Sequence, residues 1–358
     1  MSKPLNFKKI FIAFSFFTFA NGQSDFSFRN ISVKDGLAES TVKVIYEDIN
    51  GLMYLGTENG LDVYDGYEFN NYHMNSFDDN SILGNKVSSI SEDARGNIWV
   101  GTELGISIFD PETRTFSRPI NPKDLSENIL EDPETIVHDL YGNVWIKLSE
   151  TGKIYKYNAT TQKTLCMNCN GNSKLGSLKT TVLFKDYSNT IWLGSESGLF
   201  SYDPDLNSII RYPLEIGMIN SIANGQKNEI WVGSSDGLIR VVDGPNGNYK
   251  LYRKSNSKSS IVSNYIKDLA WDQSRNMLWI ATDNGISRYT PSEDKFFNIQ
   301  TTPYADSIVE NDITELMVAT RSGRLWYTTA TEPGINCLSV DFSSESNSPP
   351  PANHFEHD

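Results

Sequence analysis

The chain has 358 residues, 31 Lys and Arg against 45 Asp and Glu, a formal net charge of -14 and 12% aromatic residues. That much aromatic material excludes a wholly disordered protein. The acidic balance excludes non-specific nucleic-acid binding and adhesion to anionic lipid, both of which draw on surplus Lys and Arg. Three Cys and four His exclude a disulfide scaffold and leave little material for a His-rich metal site.

The first segment reads as a leader. Lys3, Lys8 and Lys9 precede an apolar run from Ile10 to Ala20. The run is shorter than the roughly 20 residues of a membrane-spanning helix and suits the apolar region of a secretory signal peptide. Residues 1–22 are therefore assigned to a signal peptide cut after Ala20 or Gly22, against the rival reading of an N-terminal helix buried in the core. No other stretch reaches membrane-spanning length, so the mature chain is expected to be a soluble exported protein, in the periplasm or, as the alternative, secreted.

Everything after the leader repeats. DARGNIWVGTELGISIFDP from Asp93 has close copies beginning at Asp48, Asp186 and Asp272 and looser ones at Asp139, Asn228 and Glu315. With Tyr54, Trp99, Trp145, Trp192, Trp231, Trp279 and Met317 as anchors, successive copies lie 38 to 48 residues apart. Strand-like runs flank a turn in each copy, and this period belongs to propeller blades. The reading is an all-β, seven-bladed β-propeller of four-stranded antiparallel blades over residues 23–340.

Within each unit, a first strand (Val42–Glu47, Val87–Glu92, Ile136–His138, Thr181–Lys185, Ile219–Ala223, Tyr265–Trp271 and, for the last unit, Ile308–Asp312) leads to a turn opened by Asp48, Asp93, Asp139 or Asp186 and closed by Gly51, Gly96, Gly142 or Asn189. Asp caps backbone N–H groups there, and Gly or Asn accepts positive φ. The aromatic second strand ends in a small residue (Gly56, Gly101, Gly194, Gly233, Ala281, Ala319), then a Thr/Ser-x-x-Gly hairpin, placed in the last unit at Thr320–Gly323. Unit three has Lys147-Leu148 in place of Gly-Thr and one extra residue, which predicts a bulge or an enlarged hairpin. Fourth strands fall around Phe69, Phe116, Leu165, Ile209, Leu251 and Phe296. The opening strand Phe26–Ser32 has no blade of its own and is expected to close the ring beside Leu325–Thr328, with Ile335–Val340 as its rival for that place. Residues 341–358, polar and Pro-rich, read as a disordered tail.

The segment Phe28 to Phe69, with the D-x-x-G-N-x-W-V-G-T-x-x-G-I-x-x-F-D-P copies, resembles the two-component-regulator propeller repeats over residues 26–330. Proteins of that family use such propellers as the periplasmic sensor part of hybrid two-component systems of Bacteroidota, usually two in tandem before an immunoglobulin-like domain, a membrane helix and a histidine kinase. The resemblance implies a first propeller only. It implies a non-enzymatic ligand-sensing domain for oligosaccharides or another small ligand, whose partners are a second propeller, a sensor kinase or a membrane protein, without direct nucleic-acid binding. The alternatives are a propeller protein-interaction adaptor and a polysaccharide lyase or glycoside hydrolase.

The residues themselves offer little chemistry. Recurrent turn carboxylates read as caps, and His73, His138, His354 and His357 have no metal spacing. Cys166 and Cys169 follow a strand and enter a loop, unlike the helix N-terminus of a thioredoxin-type site, so a local disulfide is the plainer reading. The Gly-rich stretches lack the Lys-Ser/Thr and helix of a phosphate loop. No catalytic residue, metal ligand or cofactor is expected. Trp271 is the one candidate for ligand contact: it stands before the turn Asp, where other units have Glu47, Glu92, His138 and Lys185. It serves either a ligand at the ring's mouth or the cover of the neighbouring blade.

Overall fold

A computed structural model describes residues 25–118, 132–158, 160, 161, 163–168, 178–203, 208–214, 216–243, 248–301, 308, 311–320, 322–331 and 333–341. Residues 1–22, expected as a signal peptide, and the stretch beyond Asp341, expected as a disordered tail, lie outside them. The first strands are Val42–Glu47, Val87–Glu92, Pro133–His138, Thr180–Lys185, Ile219–Asn224, Ile266–Asp272 and Ile313–Val318. The second strands are Met53–Thr57, Ile98–Thr102, Asn143–Leu148, Ile191–Ser195, Glu229–Ser234, Met277–Thr282 and Leu325–Thr329. Third strands follow at Gly60–Tyr64, Gly105–Asp110, Ile154–Asn158, Gly198–Asp203, Gly237–Val242, Gly285–Thr290 and Ile335–Asp341. The fourth are Phe69–Tyr72, Thr115–Ser117, Lys163–Cys166, Ser208–Arg211, Tyr249–Tyr252, Lys295–Ile299 and, for the last blade, Asp25–Ile31. They make seven four-stranded antiparallel sheets. Each first strand contacts the first strands of both neighbouring blades, and the seventh meets the first, so the protein is a closed seven-bladed β-propeller.

No blade has a core of its own. Seven apolar clusters form, one at each junction between adjacent blades. Second strands are buried on both faces, which is why they read as continuous apolar runs rather than alternating ones. The anchors Trp99, Trp145, Trp192, Trp231 and Trp279 occupy equivalent positions and are 5%, 0%, 5%, 0% and 2% exposed. At the small-residue slot sheets approach closely: a Cβ on Gly56 would meet Val44 Cγ1 at 2.5 Å and Val87 Cγ1 at 2.6 Å.

The last blade departs from its sequence reading by one whole strand. Ile313–Val318 is the first strand, and Ala319 to Arg324 is the turn after it, closed by Ala319 N–H to the Arg324 carbonyl at 2.9 Å and Gly323 N–H to the Ala319 carbonyl at 2.7 Å. The Met-Val-Ala-Thr-x-x-Gly run imitates the aromatic strand and its hairpin. Trp326, 6% exposed, takes the anchor slot in place of Met317, and Thr328 takes the small-residue slot in place of Ala319. Both rivals for closure are used: Ile335–Asp341 is the third strand, and the opening strand pairs with it, from Asp25 opposite Asp341 to Ile31 opposite Ile335, and not with Leu325–Thr329. In blade three the extra residue enlarges the hairpin, with Leu148 N–H bonded to the Lys153 carbonyl at 2.9 Å and Gly152 at φ 60°.

Candidate functional site

The ring has two faces. On one, the turn face, first strands pass into second strands; on the other, the hairpin face, second strands pass into third. Each turn Asp has two duties. Asp93 Oδ1 accepts the N–H groups of Arg95 and Asn97 at 2.8 and 3.0 Å, and its Oδ2 accepts Trp99 Nε1–H at 3.2 Å. Asp139 and Asp186 hold Trp145 and Trp192 in the same way at 2.9 and 2.8 Å. The capping was legible in the sequence; the second bond, six residues on, was not. On the hairpin face the Thr or Ser hydroxyl donates to the Gly carbonyl, as Thr102 Oγ1 does to Gly105 at 2.9 Å, and Gly105 has φ 124°, a conformation that other side chains resist.

Every first strand carries a register shift after its first residue, as between Val42 and Val44 or between Ile313 and Glu315. These seven bulges bring side chains two and three of each strand to the axis. Hydroxyls and amides there bond across to the next blade: Ser88 Oγ to the Pro133 carbonyl at 3.2 Å, Thr181 Oγ1 to the Ile219 carbonyl at 2.6 Å and Asn220 Nδ2 to the Ile266 carbonyl at 2.7 Å. They line an axial cavity of about 610 Å³ that takes residues from all seven first strands.

Charge enters this cavity unevenly. Lys147 fills blade three's small-residue slot, is 2% exposed and bonds Glu134 Oε2 at 2.5 Å. Burial pulls its ammonium below the usual lysine range, and Glu134 opposes that. Across the cavity Asp268 accepts Ser221 Oγ–H, Leu269 N–H and Leu316 N–H, each at 2.8 Å. Burial nevertheless pushes its carboxyl up to about 6. Burial, then the neighbouring Asp268 and Glu134, hold Glu315 well above the ordinary carboxylate range. Asp268 has three donors to its oxygens, which makes Glu315 the member of the pair that carries the proton.

A carboxyl titrating above its ordinary range favours the folded ring while protonated. Each carboxyl's contribution is complete below the ordinary carboxylate range; that of Asp268 is lost as the pH rises through about 6, and that of Glu315 as the pH rises well above the ordinary range. Glu315→Gln is therefore expected to melt at a higher temperature than the parent chain at pH 8 and at the same temperature near pH 4, measured by calorimetry. A variant that melts lower at both values would show that the carboxylate stabilises the ring.

The residue before the turn Asp has a structural use. Glu92 Oε2 accepts Ile49 N–H from the preceding blade at 3.1 Å, Asn224 Oδ1 accepts Tyr187 N–H at 2.9 Å, and Glu47 Oε2 accepts Thr320 Oγ1–H at 2.8 Å across the closure. Trp271 occupies this slot in blade six. Its ring is partly buried against the cluster between blades five and six. The rest lines a groove of about 460 Å³ on the turn face with Tyr187 and the amides of Asn224, Gln226, Asn228, Gln273 and Asn276. Trp271 thus covers the neighbouring blade and borders a groove, while Glu134, Lys147, Asp268 and Glu315 are brought together elsewhere, at the axis. Lys147 was visible as a break in the repeat; Asp268 and Glu315 gave no comparable sign because the bulges that aim them are not written in residue type.

The hairpin tips and the first-to-second turns differ in charge. Hairpin tips carry Glu58, Glu103, Glu150, Glu196, Asp236 and Asp283. The residues at the turn tips, between each turn's first residue and its closing Gly or Asn, carry no acid. Cys166 is disulfide-bonded, Cys337 is a buried free thiol, and Cys169 lies outside the described residues. Among the described residues no helix is long and apolar enough to cross a membrane.

A sequence profile for the two component regulator propeller matches residues 81–103. No curated protein sequence matches significantly. Among solved structures, the chain is similar to the extracellular domain of the putative hybrid two component system BT3049 from B. thetaiotaomicron, at 23% identity and a TM-score of 0.68 over 87% of this chain and 41% of that one. The corresponding domain of BT4673 from the same organism gives 20% identity and 0.68 over 87% and 39%. The chain thus spans about two fifths of the length of these domains. Virginiamycin B lyase from Staphylococcus aureus shares the fold at 12% identity and a TM-score of 0.63, over 88% of this chain and 100% of the lyase. Residues 81–103 thus match the two component regulator propeller repeat, and the chain's copies of that repeat fold as the seven blades of one propeller.

Proposed function

We propose that the ring is a sensor-type propeller of a two-component regulatory system that works outside the cytoplasm, in the periplasm, and binds a neutral oligosaccharide without turning it over. The observation that carries this reading is the two component regulator propeller repeat at residues 81–103. The Trp271 groove supports the choice of ligand: an indole and the Tyr187 phenol offer faces to sugar C–H groups, and amides ring them with donors and acceptors for hydroxyls. Output then passes to a second propeller, a sensor kinase or a membrane protein.

Calorimetric titration of residues 23–358 with oligosaccharide mixtures, with the same mixtures analysed for products, tests the proposal. Saturable binding with no new product is expected, and Trp271→Ala is expected to weaken it about tenfold, as loss of one stacking face of roughly 1.4 kcal/mol would. Retained binding in that variant removes the Trp271 contact alone. Product formation would turn the assignment towards a lyase or hydrolase, and absence of binding towards a protein-interaction adaptor.

A further inference from the structure

Two pockets on the turn face stand at equivalent places, one between blades three and four and one between blades four and five. Asp139, Asn143, Ile191 and Tyr202 of the first correspond by register to Asp186, Thr190, Ile230 and Val241 of the second. In the first, Lys156 lies opposite Trp145 and lays its ammonium 5.3 Å from the centroid of that indole. The same ammonium is 5.0 Å from the Tyr202 ring centroid and donates to the Tyr202 hydroxyl at 3.3 Å. Lys156 lines this pocket and Trp145 does not. Blade five repeats the device with Arg240, which lies opposite Trp231, 5.8 Å from its ring, and is held by Glu229.

Blade four omits the cation. Opposite Trp192 stands Ser201, whose hydroxyl reaches only as far as that of Tyr212, at 3.5 Å. Tyr212 does not replace the cation, because blade five has Tyr252 in the same place and carries Arg240 as well. Trp192 and Tyr212 therefore line the second pocket themselves, and its volume is about 360 Å³ against about 230 Å³ for the first. Ile230 and Val241 add an apolar wall, and Asp186 and Asp243 add two carboxylates. Among the described residues no Lys or Arg lines it. Aromatic rings and carboxylates around one space attract a cation, most strongly where water is displaced.

We propose that the Trp192 pocket binds a primary alkylammonium, carried by a free amine or by a lysine side chain, in the place that Lys156 fills for blade three. Methylenes lie along Ile230 and Val241, and the ammonium meets Trp192 and Tyr212 with Asp186 and Asp243 beside it. The net charge of -14 draws cations to the molecule. Asp186, Ser188 and Asn228 line both this pocket and the Trp271 groove, so the two sites are neighbours. The proposal does not rest on the oligosaccharide reading.

Titration of isotope-labelled residues 23–358 with n-butylammonium chloride tests it, followed through the Trp192 indole N–H, which Trp192→Phe identifies. Sodium chloride at equal ionic strength and n-butanol are the controls. The signal is expected to move saturably with n-butylammonium, and n-butanol is expected to bind at least about tenfold more weakly, for want of charge. Ser201→Lys is expected to abolish the response by supplying the cation from within. Asp243→Asn, at an exposed position, is expected to raise the Kd about threefold, and it decides the matter if Ser201→Lys does not fold. A lysine peptide with blocked termini, titrated alongside, separates the sources: tighter binding than n-butylammonium points to a protein's lysine, equal binding to a free amine. No response, an equal response to n-butanol, or a response that Asp243→Asn and a folded Ser201→Lys both leave intact overturns the proposal. Because the probe carries no sugar, that failure is distinct from failure of the sensor reading.

Discussion

Trp192→Ala is expected to destabilise the ring by about 3–5 kcal/mol, the usual cost of truncating a buried aromatic side chain. Trp192 is 5% exposed in the cluster shared by blades four and five, its ring 4.9 Å from that of Tyr212. Its Nε1–H is held by Asp186 Oδ2 at 2.8 Å. Removal of the side chain opens a cavity between two sheets and also strips Asp186 Oδ2 of a donor, while Asp186 Oδ1 keeps the Ser188 and Thr190 N–H groups that shape the turn. Trp192→Phe separates these losses: it retains most of the packing and is expected to cost about 1–2 kcal/mol, the scale of one buried hydrogen bond. Urea unfolding measures both. A cost below about 1 kcal/mol for the Ala variant would mean that the junction repacks around the gap.

The second large effect concerns closure. A chain beginning at Ser32 lacks the fourth strand of the last blade. Ile31, 1% exposed, leaves the cluster between blades seven and one, and the edge of Ile335–Asp341 is uncovered. Cys337, 5% exposed and opposite Arg29 in the register, reports the change directly. Its thiol is expected to be inert to a water-soluble disulfide reagent in the intact ring, since burial both shields it and pushes its ionisation up. In the shortened chain it is expected to react at least about a hundredfold faster, the change that roughly 2.7 kcal/mol of easier opening produces. Equal rates in the two chains would show that the opening strand does not guard this edge.

Blade number, strand count and the burial of five Trp anchors were all legible in the sequence, because each depends on residue type at a fixed interval: Asp at the turn, Trp in the doubly buried strand, Gly where sheets meet. The last blade was misread for the same reason. Met317-Val318-Ala319-Thr320 carries the right types one strand too early, and only pairing with Trp326 and Leu325 shows that it lies at the axis. The axial charges were illegible on different grounds. Glu315 and Asp268 are aimed by backbone bulges, and a bulge needs no particular side chain. The Trp271 groove was half legible: the odd residue in a repeated slot stood out, but its amide neighbours come from the turns of two blades.

The pairing of Asp25 with Asp341 also sets an order of events in time. Blades one to six are hairpins whose partners lie close in sequence, so they can assemble by short-range searches, whereas the last sheet must wait for a contact spanning nearly the whole chain. The strand made first is therefore the last to find its place. Until it does, the third strand of blade seven presents a bare edge and Ile31 has no cluster to enter. A six-bladed intermediate of this kind is where slow refolding, off-pathway sheet addition and chaperone dependence would concentrate. Conditions that delay closure, such as high protein concentration during refolding, would select for aggregates joined through that edge.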